Sequence, residues 1–337
     1  MSSLILVSIR CLVYNHEPYL RQCLDGFVMQ KTNFRFEAVV HDDVSTDRSA
    51  EIIREYAEKY PDIIKPIYET ENQYSKHDGS LQTIMNKACK GKYLAFCEGD
   101  DYWTDPLKLQ KQVDFLEEHP DYSMCFTDVR DFYSDKQIWG PKQSVQYGRM
   151  NASLINSYED SFYKILLCQC RIQTLSVLLR TELYKACIPS EYQFLMGDTL
   201  MWLDLSQKGK IHYINECMGV YNVHPGSMCR NSDTIYRFQL SMYEMRVYYC
   251  NKYNYSIPLR IKKSYNRSYV KFLLYDKKGK RNPLYEAFDI DTINDKIFKK
   301  FIKKRKNKWL VKIVFFLEDI ISVLKGYCTR NVFGNCC

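Results

Sequence analysis

The sequence predicts an α/β fold: a mostly parallel β-sheet covered by helices, followed by a helical C-terminal extension. Two observations carry this. Over the first 130 residues, short β-rich runs alternate with amphipathic helical stretches. Three of those runs end in polar clusters, Tyr14-Asn15-His16-Glu17, Asp42-Asp43 and Glu98-Gly99-Asp100-Asp101. In parallel sheets flanked by helices, ligands collect beyond the carboxyl ends of the strands. If the three strands are neighbours, their clusters converge on one rim.

The elements follow in order. Residues 4–13 read as a buried strand and 17–30 as a helix beginning around Pro18. Residues 34–40 form a second strand, ending at HDDVSTD. Ser45 or Thr46 is expected to cap a helix that runs through Tyr60, with Asp47 near its positive end. Residues 63–68 are a third strand, 80–89 a helix, 92–97 a fourth strand, 106–118 a helix and 122–129 a fifth strand. From about 131 to 169 the pattern weakens, which predicts irregular structure or short strands over the site. Residues 174–180 resume as a strand, 198–207 form a helix stopped by Gly209, and 210–223 return to strand. Residues 232 to about 275 read as helical, and no internal repeat is present.

Composition narrows the function classes. A chain of 337 residues with 46% hydrophobic and 15% aromatic content can bury a substantial core, which excludes a disordered chain. The net charge of +8 is concentrated at 296–308, KIFKKFIKKRKNK, which holds eight Lys and Arg and no acid. Taking these eight from 48 leaves 40 basic residues, equal to the 40 Asp and Glu. The main body is therefore balanced, and nucleic acid is not an expected partner.

Of the 14 cysteines, Cys11, Cys97 and Cys125 lie inside apolar runs, where a free thiol behaves as a small hydrophobe. No CxxC pair or Cys/His cluster has zinc spacing, and Cys168-Gln-Cys170 is too tight and lacks a companion. The N-terminus MSSLILVSIRCLVYN has neither a basic n-region nor a small-residue cleavage site. Both features predict a reducing, cytoplasmic setting.

The tail has its own logic. After the basic run comes WLVKIVFFLEDIISVLKG, residues 309–326, whose Lys312, Glu318 and Asp319 make it a poor membrane span. A basic segment followed by an amphipathic helix predicts an interfacial anchor on anionic lipid at the inner face of the membrane. The alternative is a C-terminal helix packed on the domain with its lysines solvated.

Adjacent carboxylates on a strand-end loop suit a hard cation, Mg²⁺ or Mn²⁺, which keeps several waters and takes further ligands from a substrate diphosphate. Gly99 would let the backbone turn tightly there. The competing reading is an acidic loop leading into a helix, with Asp105 as the cap before Pro106; capping explains Asp105 better than it explains Asp100 and Asp101.

At these residues a resemblance emerges. SIRCLVYNHEPYLRQCL, VVHDDVSTDRSAEII and GKYLAFCEGDDYWTDPLKLQKQ resemble the successive N-terminal motifs of family 2 glycosyltransferases, which have the GT-A fold. The similarity runs from about residue 4 to 130 and resumes between 173 and 227. It implies that Tyr14 and Glu17 line a nucleotide pocket and that Asp43, with Asp42, holds a uracil-type base. It also implies that Asp100 and Asp101 form the diphosphate and metal element, with Glu98 where the family usually begins its D-x-D with Asp. The metal ligands expected are Asp101, Glu98 and His224, and the cofactor Mn²⁺ or Mg²⁺.

The resemblance further implies a general base at a helix N-terminus in the second half. FLMGDTLMWLDLSQKGKIHYI supplies Asp198 before an amphipathic helix with Leu200, Trp202 and Leu203 facing inward. A plain N-cap role fits Asp198 locally just as well. His224 and Ser227, in YNVHPGSM, are similar to a late motif in which a His approaches the diphosphate; a satisfied structural His is the alternative.

The implied domains are a GT-A domain at 1–230, with nucleotide-binding and acceptor halves meeting near 130, a helical extension at 231–295, and the basic tail at 296–337. The implied activity is inverting transfer of a sugar from a UDP-sugar to a glycan or lipid-linked acceptor in surface polysaccharide assembly. Two rivals are weighed. A sugar-nucleotide pyrophosphorylase usually carries a Gly-rich loop near its N-terminus, absent here. A non-catalytic membrane scaffold on the same fold would not need the intact carboxylate set.

Overall fold

The computed structural model describes residues 4–143, 161–168, 172–187, 194–195, 197–226 and 235–259, and beyond them 261–262, 264–265 and 268–269. Two compact units divide the chain, Met1–Ile257 and Pro258–Cys337. In the second, Tyr265 and Tyr269 stack their rings one helical turn apart, centroids 6.3 Å from each other. The expected tail and anchor at 296–337, Ser227 and the side chains of Cys168 and Cys170 lie outside the described residues. Among the described residues no helix is long and apolar enough to cross a membrane.

The first unit begins with β1 (Val7–Val13), α1 (Glu17–Val28), β2 (Phe36–Asp42), α2 (Ser49–Lys59), β3 (Ile64–Tyr68), α3 (Ser80–Ala88), β4 (Tyr93–Phe96) and β5 (Tyr102–Trp103). It continues with α4 (Lys108–Glu118), β6 (Tyr122–Tyr133), β7 (Ile138–Lys142), α5 (Phe162–Cys168), β8 (Val177–Arg180), α6 (Thr181–Lys185), α7 (Gly197–Leu205), β9 (Lys210–Val223) and α8 (Ile235–Lys252). The strands form one sheet in the order β3-β2-β1-β4-β8-β6-β9-β5, with β7 added on β6. β1 runs parallel to both β2 and β4, and β3 is parallel to β2. β8 is antiparallel between β4 and β6, while β6 and β9 are parallel. The parallel core expected from the alternation is present in β3-β2-β1-β4, but the sheet as a whole is mixed, because β8, β5 and β7 pair antiparallel with their neighbours.

Both faces of the sheet are covered. Val7, Ile9, Cys11 and Val13 of β1 point into one apolar cluster with Leu20, Leu24 and Phe27 of α1, Ile52 and Ile53 of α2, and Leu109 and Leu116 of α4. Val39, Leu94 and Phe96 point the other way, toward Leu166 of α5, Trp202 and Leu203 of α7, and Met245 and Tyr249 of α8. Each such side chain contributes roughly 1.5–3 kcal/mol by leaving water. Helix α8, expected within a separate extension, is thus packed into the first unit.

Three local expectations change. The α2 cap is neither Ser45 nor Thr46: the helix starts at Ser49, and Asp47 Oδ1 accepts its N–H at 3.0 Å. Ser45 and Thr46 instead bind Asn15, because the β1 and β2 loops abut. Helix α8 ends at Lys252 rather than running unbroken to about 275, and helix resumes among the described residues between 259 and 269. Asn254 takes a left-handed φ of 56°, and the N–H groups of Tyr255 and Asn254 reach back to the carbonyls of Cys250 and Asn251. Gly209 does follow α7, yet its φ is not left-handed. A Cβ there would sit 2.8 Å from Ser123 N, so close passage of β6 explains the glycine.

Candidate active site

Parallel register places the carboxyl ends of β2, β1 and β4 side by side, and backbone hydrogen bonds carry the alignment past the strands. Asp43 N donates to Val13 O, Cys97 N to Arg10 O and Gly99 N to Leu12 O, at 2.9, 3.1 and 3.0 Å. All three polar clusters therefore share one rim, as the sequence suggested.

The β1–α1 and β2–α2 loops are tied reciprocally. Asp47 Oδ2 accepts from Glu17 N at 2.9 Å, and Glu17 Oε2 accepts from Arg48 N at 3.1 Å. Each acid satisfies an N–H at the start of the other loop's helix, where the helix dipole favours a negative charge. Glu17 thus holds the loop that carries Tyr14, whose ring is half-exposed. Asn15 and Val44 both have positive φ, 57° and 65°. Asn tolerates that region, whereas a β-branched residue there is strained, and such strain gathers at functional sites.

Asp43 is buried and uses both carboxylate oxygens. Oδ1 accepts from Gln73 N at 2.6 Å and Oδ2 from Tyr74 N at 2.9 Å. It fixes the segment after β3 and brings the exposed Tyr74 next to it. Asp42, also buried, accepts from Ser45 N through Oδ2 at 3.3 Å, and its Oδ1 has no partner among the described residues.

Around Glu98-Gly99-Asp100-Asp101 the three acids part company. Glu98 Oε2 accepts from Leu12 N at 3.1 Å, beneath the rim. Burial raises its carboxyl to about 7, opposed by Arg10 and the Leu12 N–H and reinforced by the negative charges of Asp100 and Asp198. Asp101 is 4% exposed and accepts from Asn222 N at 2.8 Å; burial and the neighbouring Asp100 push it well up. For Asp100 burial works in the same direction, but the hydrogen bond from His224 and the nearby His16 outweigh it and hold this carboxyl low. His224 Nε2 lies 3.0 Å from Asp100 Oδ2, and the Tyr19 ring packs 4.7 Å from the His224 ring. Adjacent carboxyls pushed in opposite directions are a signature of sites where charge matters.

His16 was given no role by the sequence, yet it belongs here. A Cβ on residue 99 would sit 2.8 Å from His16 Nδ1, so Gly99 makes room for this ring; its φ is not left-handed, and the expected tight turn does not explain it. Burial pushes the imidazole down while Asp100 pulls it up, and Nδ1 has no partner among the described residues. Its position directly after Asn15 in a strand-end cluster was the signal available.

Do these residues fit a divalent cation? The expected trio Asp101, Glu98 and His224 is not gathered, and among the described residues no three His, Cys, Asp or Glu side chains form a ready cage. Glu98 is turned to Leu12 and Asp101 to Asn222, so His224 meets Asp100 instead. A partly exposed carboxylate beside an imidazole still fits an ion that keeps waters and takes substrate phosphate oxygens. Asp198 stands half-buried in the first turn of α7, its Oδ1 accepting from Thr199 N at 2.7 Å. Its negative charge is among those that raise the Glu98 carboxyl. Leu200, Trp202 and Leu203 are buried behind it, as expected.

The thiols are spectators. Cys11, Cys23, Cys97 and Cys125 are buried and free, and burial pushes each thiol up, away from the reactive thiolate.

Comparison with known proteins adds to this geometry. The model of the family described as glycosyl transferase family 2 matches residues 8–183. An uncharacterized protein of Mycobacterium tuberculosis is 38% identical over 218 residues, 65% of this chain and 59% of its own length, so the chain spans about three-fifths of that relative. An Escherichia coli protein named UDP-Glc:alpha-D-GlcNAc-diphosphoundecaprenol beta-1,3-glucosyltransferase is 27% identical over 228 residues, 67% of this chain and 80% of its own. Among solved structures, Staphylococcus aureus TarS 1–349 in complex with UDP-GlcNAc superposes with TM-score 0.53 at 18% identity, covering 80% of this chain and 81% of that one. A Pyrobaculum calidifontis mannosyltransferase in complex with GDP-Man and Mn²⁺ gives TM-score 0.51 at 14% identity, covering 91% and 86%. At such identities the structural likeness establishes the fold alone.

Proposed function

The chain belongs to glycosyl transferase family 2, and from that premise we propose that it transfers a sugar, with inversion, from a UDP-sugar to a hydroxyl of a glycan or lipid-linked acceptor in surface polysaccharide assembly. The observation that carries this reading is the meeting of Asp43, Asp100 and Asp101 on one strand-end rim, where β2, β1 and β4 end side by side.

In this reading Tyr14 offers its half-exposed ring to the base, and Asp43, with Asp42 behind it, accepts the imide N–H. Carboxylate oxygens have two lone pairs each, so the bonds Asp43 already accepts from Gln73 and Tyr74 leave room for one more. Asp100 and His224 would hold Mn²⁺ or Mg²⁺ with the donor diphosphate, and that ion supplies neutralisation of the charge growing on the departing group. Asp101, tied to Asn222, keeps the loop in place beneath it. Asp198 takes the proton from the acceptor hydroxyl on a carboxylate oxygen as that hydroxyl attacks the anomeric carbon from the face opposite the diphosphate. One displacement needs no covalent glycosyl-enzyme.

The test is Asp198→Asn. The variant is expected to bind UDP with Mn²⁺ like the parent, by calorimetry, and to lose transfer from a panel of UDP-sugars by a factor of about 10² or more. Normal transfer by this variant would remove Asp198 as the base.

A further inference from the structure

Beside the rim, and lined by none of Tyr14, Asp43, Asp100 or Asp198, lies a cavity of about 700 Å³, within the size range of small-molecule sites. It is bounded by the start of α1, β5, the β6–β7 hairpin and the end of β9. Tyr19 and Asn222 line it and also touch the site: Tyr19 packs on His224, and Asn222 N donates to Asp101. The cavity therefore shares a wall with the candidate transfer site.

Its chemistry is selective. Besides Tyr19, the aromatic rings of Tyr102, Phe132 and Trp139 stand among amides and hydroxyls from Gln22, Ser134 and Gln137. Among the described residues the lining has one carboxylate, Asp135, and no Lys or Arg. That balance disfavours a phosphate, which favours charge-assisted donors and is repelled by a carboxylate. A polyisoprenoid chain is disfavoured for the opposite reason. Covering the polar groups of Gln22, Ser134, Asp135 and Gln137 with hydrocarbon would strip them of water without offering partners, at a cost of about 1–3 kcal/mol for each group left unmet, whereas hydroxyls would satisfy them. A pyranose combines what remains: C–H groups on one face for an aromatic ring and hydroxyl donors around the rim.

Trp139 is placed for that role. It is 48% exposed at the start of β7, yet it is held by the Phe132 ring at 4.7 Å and by the Arg130 guanidinium over its face at 5.0 Å. A large ring kept in place before the ligand arrives loses little conformational entropy on binding. We propose that this cavity is a carbohydrate subsite holding sugar rings of the acceptor glycan away from the reacting hydroxyl, with Trp139 as the stacking platform and Asp135 as a hydrogen-bond partner. Only the word acceptor rests on the transferase reading; the binding of neutral sugar rings does not.

The experiment uses the full chain and a panel of neutral disaccharides, cellobiose, maltose, lactose and N,N′-diacetylchitobiose, read by saturation-transfer NMR and tryptophan fluorescence. Farnesol and inorganic phosphate are run beside them, and UDP is titrated separately. At least one disaccharide is expected to bind through its ring C–H groups. Trp139→Ala should weaken it by about tenfold, Trp139→Phe much less, and UDP affinity should stay the same. Absence of binding by every disaccharide, equal binding by Trp139→Ala, or binding of farnesol or phosphate in place of sugar overturns the proposal. So does a concentration-dependent dimer that Trp139→Ala abolishes, since the ring would then serve a protein interface. If UDP fails to bind while a disaccharide does, the transferase reading falls and the carbohydrate site stands.

Discussion

Lys108 is fully buried in the first turn of α4, its ammonium 4.4 Å from the centre of the Trp103 ring and donating to Gln112 Oε1 at 2.6 Å. Burial lowers its pKa from the ordinary 10.5 to about 8. Between those values the unfolded chain binds the extra proton, so this group makes stability rise with pH. Its cost is fully present below pH 8 and relieved as pH passes toward 10.5, by roughly 3 kcal/mol in all. Wild type should therefore gain on Lys108→Met between pH 8 and 10 in urea unfolding. A constant difference between the two would mean that the ammonium is solvated. Asp43 teaches a different lesson about legibility. Its position at a strand end was plain in HDDVSTD, but its hold on the Gln73 and Tyr74 N–H groups was not, because those residues lie thirty positions away. His16 stood in a strand-end cluster that the sequence already marked, but what gives it a part in the site is the space that Gly99 leaves for its ring.

At the scale of elements, period and turn chemistry told strands from helices well where the core decides the pattern. β9 at Lys210–Val223 coincides with the run expected, and β1, β3, β4 and α3 fall within a few residues of theirs. Expectation and structure part where partners come from elsewhere. Two loops cap each other's helices through Glu17 and Asp47, so the nearest Ser and Thr were the wrong caps. Val44, in the HDDVSTD segment where the strand was expected to end, takes a φ of 65° that its β-branched side chain does not indicate. Left-handed backbone costs an L-residue about 1–2 kcal/mol, while glycine's extra freedom costs roughly 0.5–1 kcal/mol. Val44→Gly should accordingly leave the thermal midpoint unchanged or raised, against the usual penalty for glycine. A clear drop in calorimetry would show that the Val44 side chain outweighs its backbone.

For the molecule as a whole, binding and folding are linked, because a rim assembled from three strand ends exists only in the folded chain. UDP with Mn²⁺ at about 100 times Kd should add about 2.7 kcal/mol to stability. Thermal shift should show this in wild type and lose most of it in Asp100→Asn, whereas a shift undiminished in that variant would place the diphosphate elsewhere. The alternation of apolar runs by itself determined an α/β sheet with its polar clusters at one rim, because the 2.0 and 3.6 periods report burial and parallel crossovers leave few topologies. The quoted motifs also carried the family. Tertiary structure alone decided which carboxylate does what. Glu98, Asp100 and Asp101 are near-equivalent as letters, but contact with Leu12 N, His224 and Asn222 N turns one beneath the rim, holds one charged at it and pins one to β9. Side-chain direction and local dielectric are set by residues brought from across the fold, and no local pattern records them.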